Sequence, residues 1–199
     1  DDLLRVARSD TGELALAPQP LRLDDLAAEV VEEVAAECAN AGMELICDPM
    51  PAITILGDPN WLRQVIVGLV RNAIRHARDG GEILLRPEVG VPKVSPNDGQ
   101  TRDTDLVGIA VQDRGPGLAP GEDARLFDRF AQGNEPNSQG FGLGLALARW
   151  VVEAQGGDIT LQSPAPDHAG QTLPASGVAP DPASSIGTKV SVRLPRVRG

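Results

Sequence analysis

The chain has 199 residues, 41% of them hydrophobic, enough for one domain with an ordinary core and at most a linker remnant beside it. Acids outnumber bases 28 to 18, for a net charge of −10, and no Lys/Arg-rich run offsets this; such a surface repels a phosphodiester backbone, which excludes nucleic-acid binding. No apolar run reaches the roughly 18–20 residues of a membrane span and no signal peptide is present, so no direct membrane contact is expected. Cys38 and Cys47 form neither a CxxC nor a pair with nearby histidines, which argues against zinc and predicts two small buried thiols in a reducing cytosol.

Residues 1–9 (DDLLRVARS) set Leu3, Leu4 and Ala7 on one side of a helix too short to stand alone, and are expected to be the tail of a longer upstream helix. A turn at 10–12 and an extended stretch through Pro18 and Pro20 follow, so that residues 1–20 read as the remnant of that helix and its linker. Asp24 and Asp25 open a predicted helix to about Asn40, with Leu26, Val30, Val34 and Ala41 at helical intervals. Residues 43–47 and 53–56 predict two strands joined by a turn at Pro49 and Pro51. Asp58 is a capping residue and Pro59 suits a first helical position, which predicts a helix from 60 to about 77, ending near Gly80 and Gly81.

Strands are expected at 82–86 and 106–112, separated by a Pro/Gly/Asp-rich insertion at about 92–105. A short helix at 122–130 leads into a Gly-rich loop. A longer helix at about 143–155 should end in a left-handed residue at Gly156-Gly157. Strands at 158–162 and 188–194 close the chain around a second insertion, 163–186, rich in Pro, Ala, Ser and Gly. This order implies an α/β, two-layer sandwich with helices on one face of a mixed sheet, residues 21–199 forming the domain.

Three segments carry polar chemistry. On the 60–77 helix, Leu62, Val65, Ile66, Leu69, Ala73 and Ala77 form an apolar face, and Gly68, Asn72, Arg75 and His76 line an adjoining stripe. An amide oxygen is a hard ligand suited to Mg²⁺, and an arginine one turn on reaches a phosphate, although such a pair is more often simply solvated. Asp113-Arg114-Gly115-Pro116-Gly117 follows an alternating strand. A carboxylate there can accept hydrogen bonds from an adenine amino group, while by itself the pattern is that of an ordinary turn. Gly140-Phe141-Gly142-Leu143-Gly144 opens a helix, where free N–H groups and close backbone approach suit phosphates. It is neither a dinucleotide fingerprint nor a P-loop.

In this order, the segments resemble the ATPase superfamily shared by gyrase, Hsp90, histidine kinases and MutL, over about residues 21–195. Among these, residues 64–77 (QVIVGLVRNAIRHA) are similar to the asparagine box of sensor histidine kinases, and DRGPG to their first glycine box. LFDRFAQG (126–133) is similar to their phenylalanine box, and 140–157 to the second glycine box with its following helix. The resemblance implies a Bergerat ATP-binding fold with Asn72 as the Mg²⁺ ligand, Arg75 facing the phosphates and His76 against adenine. It makes Asp113 the adenine acceptor and adds Gly115, Gly117, Phe130, Gly140, Gly142, Leu143 and Gly144 to the ATP site, with residues 127–140 as a lid.

Three positions depart from the family pattern. Gly68 stands where kinases often have a second asparagine and hydrolytic relatives a general base, which argues against water activation. His76 replaces an aromatic, and Gln132 an arginine. The two histidines, His76 and His168, do not begin a phosphoacceptor H-E-x-[RK]-x-P box. The resemblance therefore implies a histidine kinase catalytic domain whose acceptor lies on an upstream dimerisation domain. The implied partners are that domain, a homodimeric copy and a response regulator, on the cytoplasmic side of a membrane-anchored parent. The alternatives are an anti-sigma-type protein-serine kinase and a degenerate ATP-binding regulatory module.

Overall fold

The computed structural model describes residues 15–76, 81–94, 101–118, 126–127, 144–163, 165 and 187–197. Strand β1 (Gln19–Arg22) leads into helix α1 (Leu23–Asn40), followed by β2 (Glu44–Cys47), β3 (Thr54–Gly57) and helix α2 (Pro59–His76). The hairpin of β4 (Glu82–Val94) and β5 (Thr101–Asp113) precedes helix α3 (Gly144–Ala154), β6 (Asp158–Gln162) and β7 (Lys189–Pro195). Five strands form a sheet in the order β2-β4-β5-β7-β6, with β2–β4 parallel and the other pairs antiparallel; β1 and β3 form a separate antiparallel pair. This is the expected mixed-sheet sandwich.

Alternation along β7 shows why the layers form. Val192 and Leu194 point into the core with Val107, Ile109 and Ile83, against Leu26 and Val30 of α1, Leu62 and Ile66 of α2 and Val151 of α3. Burying each such side chain contributes about 1.5–3 kcal/mol. Lys189 and Arg193 take the opposite face, where Lys189 pairs with Glu88 at 2.6 Å and Arg193 with Asp158 at 2.6 Å. Two faces of opposite character explain how so charged a chain holds an apolar core.

The helix ends follow local chemistry. Asp58 caps α2 as expected: its Oδ1 accepts from the N–H groups of Asn60 (3.1 Å) and Trp61 (3.2 Å). Gly156, at φ 77°, terminates α3, with Gly157 N–H donating to Val152 O at 3.0 Å and Gly156 N–H to Glu153 O at 2.9 Å. Helix α1 begins at Leu23, ahead of the acids expected to open it, and Asp24 pairs with Arg22 without capping the helix.

Strands β2 and β3 form as expected on either side of Pro49 and Pro51; β2 joins β4 and β3 joins β1. Other expectations need correction. The described residues of the 92–105 insertion, 92–94 and 101–105, are strand, since β4 and β5 continue as a ladder to Val94 and Thr101, with register shifts beyond Glu88. Pro87 and Pro92 are tolerated there because β4 has by then run past β2, whose last partner is Leu85. Cys38 is buried as expected, but Cys47 is exposed at the end of the edge strand β2. Of the expected 122–130 helix only Leu126 and Phe127 are described, in a turn, and most of the 163–186 insertion lies outside the described residues.

Candidate functional site

Helix α2 packs on β5, and His76 in its last turn comes close enough to Asp113, the last residue of β5, to act on its charge. The apolar face of α2 is buried through Leu62, Ile66, Leu69 and Ala73, which leaves the polar stripe beside it less covered. Asn72 is half-buried there, and Arg75 and His76 are exposed in the last turn. The Arg75 guanidinium at this end offsets the negative pole of the helix. Among the described residues, a Cβ on Gly68 would meet nothing within 4 Å.

Asp113 ends β5 half-buried, and its surroundings are built from the backbone. Its Oδ1 accepts from Gly115 N–H at 2.8 Å and Thr188 N–H at 3.2 Å. Among the described residues no hydrogen bond reaches Oδ2, which leaves that oxygen to accept from an outside donor. Burial raises the Asp113 pKa above its ordinary value, while the two backbone N–H groups and the charge of His76 act in the opposite direction. That influence of His76 also marks how near the end of α2 comes to the carboxylate.

The loop after Asp113 is held from three sides. Gly187 N–H donates to Gly115 O at 2.9 Å, Leu118 N–H to Ser163 Oγ at 2.9 Å, and Ser163 Oγ–H to Gly187 O at 3.0 Å. Arg114 reaches back to Glu82 at 2.8 Å, at the start of β4. Gly187 (φ 55°) is required, since a Cβ would lie 2.5 Å from the Asp113 carbonyl oxygen. Ser163, Gly187, Thr188 and Glu82 were missed from the sequence. The Gly-Thr just ahead of the last strand is the signal that could have pointed to two of them.

Gly144 is the first residue of α3, while Phe130, Gly140, Gly142 and Leu143 lie outside the described residues. Gly115 is buried and Gly117 takes φ 71°. The Arg149 guanidinium of α3 sits 5.8 Å from the Phe127 ring centroid, a cation–π contact joining the phenylalanine segment to this helix. Among the described residues, His76 and Gly115 lie by Asp113, and Asn72 and Arg75 stand within the turn of α2 that ends at His76.

Residues 57–198 match the family described as Histidine kinase-, DNA gyrase B-, and HSP90-like ATPase. The chain belongs to that family. Among characterised relatives it is 29% identical over 164 residues to the adaptive-response sensory kinase SasA of Crocosphaera subtropica (strain ATCC 51142 / BH68), covering 81% of this chain and 40% of SasA. It is 31% identical over 164 residues to the sensor protein KdpD of Escherichia coli (strain K12), covering 80% of this chain and 16% of KdpD. Full-length ShkA, solved in complex with AMPPNP, superposes with TM-score 0.70 at 26% identity, over 100% of this chain and 35% of ShkA. The mycobacterial sensor histidine kinase MprB superposes with TM-score 0.66 at 21% identity, over 91% of this chain and 100% of the MprB chain, a likeness of fold.

The chain spans about 40% of the SasA proteins it matches. It is a histidine kinase-type ATP-binding catalytic domain of this ATPase family. Among the described residues no helix is long and apolar enough to cross a membrane.

Proposed function

We propose that this domain binds Mg·ATP and transfers the γ-phosphoryl group to a histidine on a dimerisation domain preceding residues 1–20, itself passing the group to a response regulator. Residues 1–20 belong to the end of that upstream domain and its linker, and 21–199 to the catalytic domain. The observation that carries the reading is Asp113, a half-buried carboxylate whose Oδ1 is occupied by backbone donors and whose Oδ2 is left for an adenine amino group. An acceptor held in this way discriminates adenine from guanine, which offers a carbonyl at the corresponding position.

Around the carboxylate, His76 lies against the base and Gly115 and Gly117 let the backbone approach it. Arg75 faces the phosphates, and Gly140, Gly142, Leu143 and Gly144 supply N–H groups at the start of α3. Phe130 belongs to the lid over the nucleotide. Asn72 fits a magnesium ion by chemistry, with a hard amide oxygen at the open end of α2. The ion, when bound, neutralises charge on the transferred group; the chain's own residues orient the nucleotide and exclude water. Gly68 provides no base to activate water, which favours transfer over hydrolysis. The parent is a homodimer anchored in a membrane with this domain on the cytoplasmic side.

The test is phosphotransfer. Incubated alone with labelled ATP, the 199-residue chain acquires no acid-labile phosphate, since neither His76 nor His168 begins an acceptor box. A separately supplied dimerisation domain from the same parent becomes labelled, and Asn72→Ala abolishes that labelling. Self-labelling on His76 or His168 would overturn the half-enzyme reading. ATP binding without any transfer would favour a regulatory module instead.

A further inference from the structure

A second cluster of buried polar groups lies at the other end of the two nucleotide-site helices. Asp58 precedes α2 and is 6% exposed; Gln155 follows α3 and is 8% exposed. Every polar group of Asp58 is engaged. Its Oδ1 caps α2, its carbonyl accepts from Leu62 N–H at 2.9 Å, and its own N–H donates to Gln155 Oε1 at 2.5 Å. Its Oδ2 accepts from the N–H of Ala17 at 2.9 Å, in the segment that enters ahead of β1. Gln155 is oriented by its other end, with Nε2 donating to Val151 O at 2.8 Å inside α3.

A helix cap alone needs one carboxylate oxygen. The second oxygen and the amide contact across 97 positions add what a cap does not require: a link from the entering segment to the rear of both helices. Those helices carry Asn72, Arg75 and His76 at the far end of one, and Gly144 at the start of the other. We propose that Asp58 and Gln155 are positioning residues for phosphoryl transfer, locking the entering segment at Ala17 to the two helices that carry the nucleotide residues. The proposal rests on the reading that the acceptor precedes this segment. Such groups never touch ATP; they set the angle at which an acceptor carried on the entering chain meets it, and small misalignments of reacting groups slow transfer steeply.

Two substitutions break the same bond from either side. Ala17→Pro removes the donor. Asp58→Asn keeps an oxygen for the cap and turns an amide N–H₂ toward Ala17. In the full-length parent, either is expected to lower kcat for autophosphorylation by roughly three- to tenfold, with KM for ATP changed by less than about twofold. The double variant should be no slower than either single one, because both act on one contact. Unchanged kcat, or a rise in KM alone, would overturn the proposal, whereas an unlabelled wild-type parent would overturn the transfer reading.

The 199-residue chain provides a measurement free of the upstream domain. Saturating Mg·ATP should slow exchange of the Ala17 amide by about threefold or more, and Gln155→Ala should abolish that response, since coupling between two sites is reciprocal. An Ala17 amide indifferent to nucleotide, in a chain whose melting temperature nucleotide does raise, would overturn the positioning role. Absence of both responses would overturn the nucleotide site itself, and the positioning role with it.

Discussion

At the scale of single residues, Asp113 sets a conflict between folding and binding. Burial raises its pKa, so the fold disfavours the charged form. A group with a raised folded pKa contributes stability that is complete below its unfolded value, about 4, and is lost as pH climbs through the folded value. Asp113→Asn retains an oxygen for Gly115 and Thr188 and removes the charge. The variant should therefore melt no lower than wild type at pH 7, with the wild type losing ground to it as pH rises from below about 4. Its affinity for ATP should fall because a donor then faces the adenine amino group, and calorimetry with ATP and GTP checks this. The wild type should bind GTP poorly, and equal affinities would contradict the assigned role. The residue type and its place at a strand end were legible in the sequence; the backbone donors that occupy one oxygen were not, because Thr188 lies 75 positions away.

Among the elements, glycines make the sharpest tests. Gly68 lies inside α2, and among the described residues a Cβ there would meet nothing within 4 Å, so Gly68→Ala should stabilise the domain by about 0.5–1 kcal/mol in chemical denaturation. Gly156 has φ 77°, and a Cβ there meets nothing nearer than Pro195 Cγ at 3.6 Å. The cost of Gly156→Ala is thus conformational, about 1–2 kcal/mol, and Gly156→Asn should cost less because asparagine enters the left-handed region more readily. Gly157 differs: a Cβ would lie 2.2 Å from the Arg193 carbonyl oxygen and 2.3 Å from Leu194 Cδ2, so Gly157→Ala should be the most damaging of the three. The Gly-Gly pair announced a helix end in the sequence. That its two members are required for different reasons depends on β7 passing beside them.

For the whole molecule, ligand binding is read as stability. Mg·ATP at about 100 times its dissociation constant should add about 2.7 kcal/mol, a rise of roughly 5–10 °C in melting temperature for a chain of this size. No shift at millimolar Mg·ATP would remove the central functional claim. What the sequence determined by itself was what short-range chemistry encodes: the apolar stripe of α2, the Asp58-Pro59 start, the Gly156 terminator, the two closing strands and the polar segments on or beside them. These follow from helical and strand periods, caps and turns spanning a few residues. Only the tertiary structure separated β2 from β3, carried the β4–β5 ladder through a stretch rich in Pro and Gly, exposed Cys47, and joined Asp58 to Gln155 and Ser163 to Gly187. Strand pairing and the burial of polar groups are decided between residues tens of positions apart, where packing and the need to satisfy every buried donor outweigh local preference.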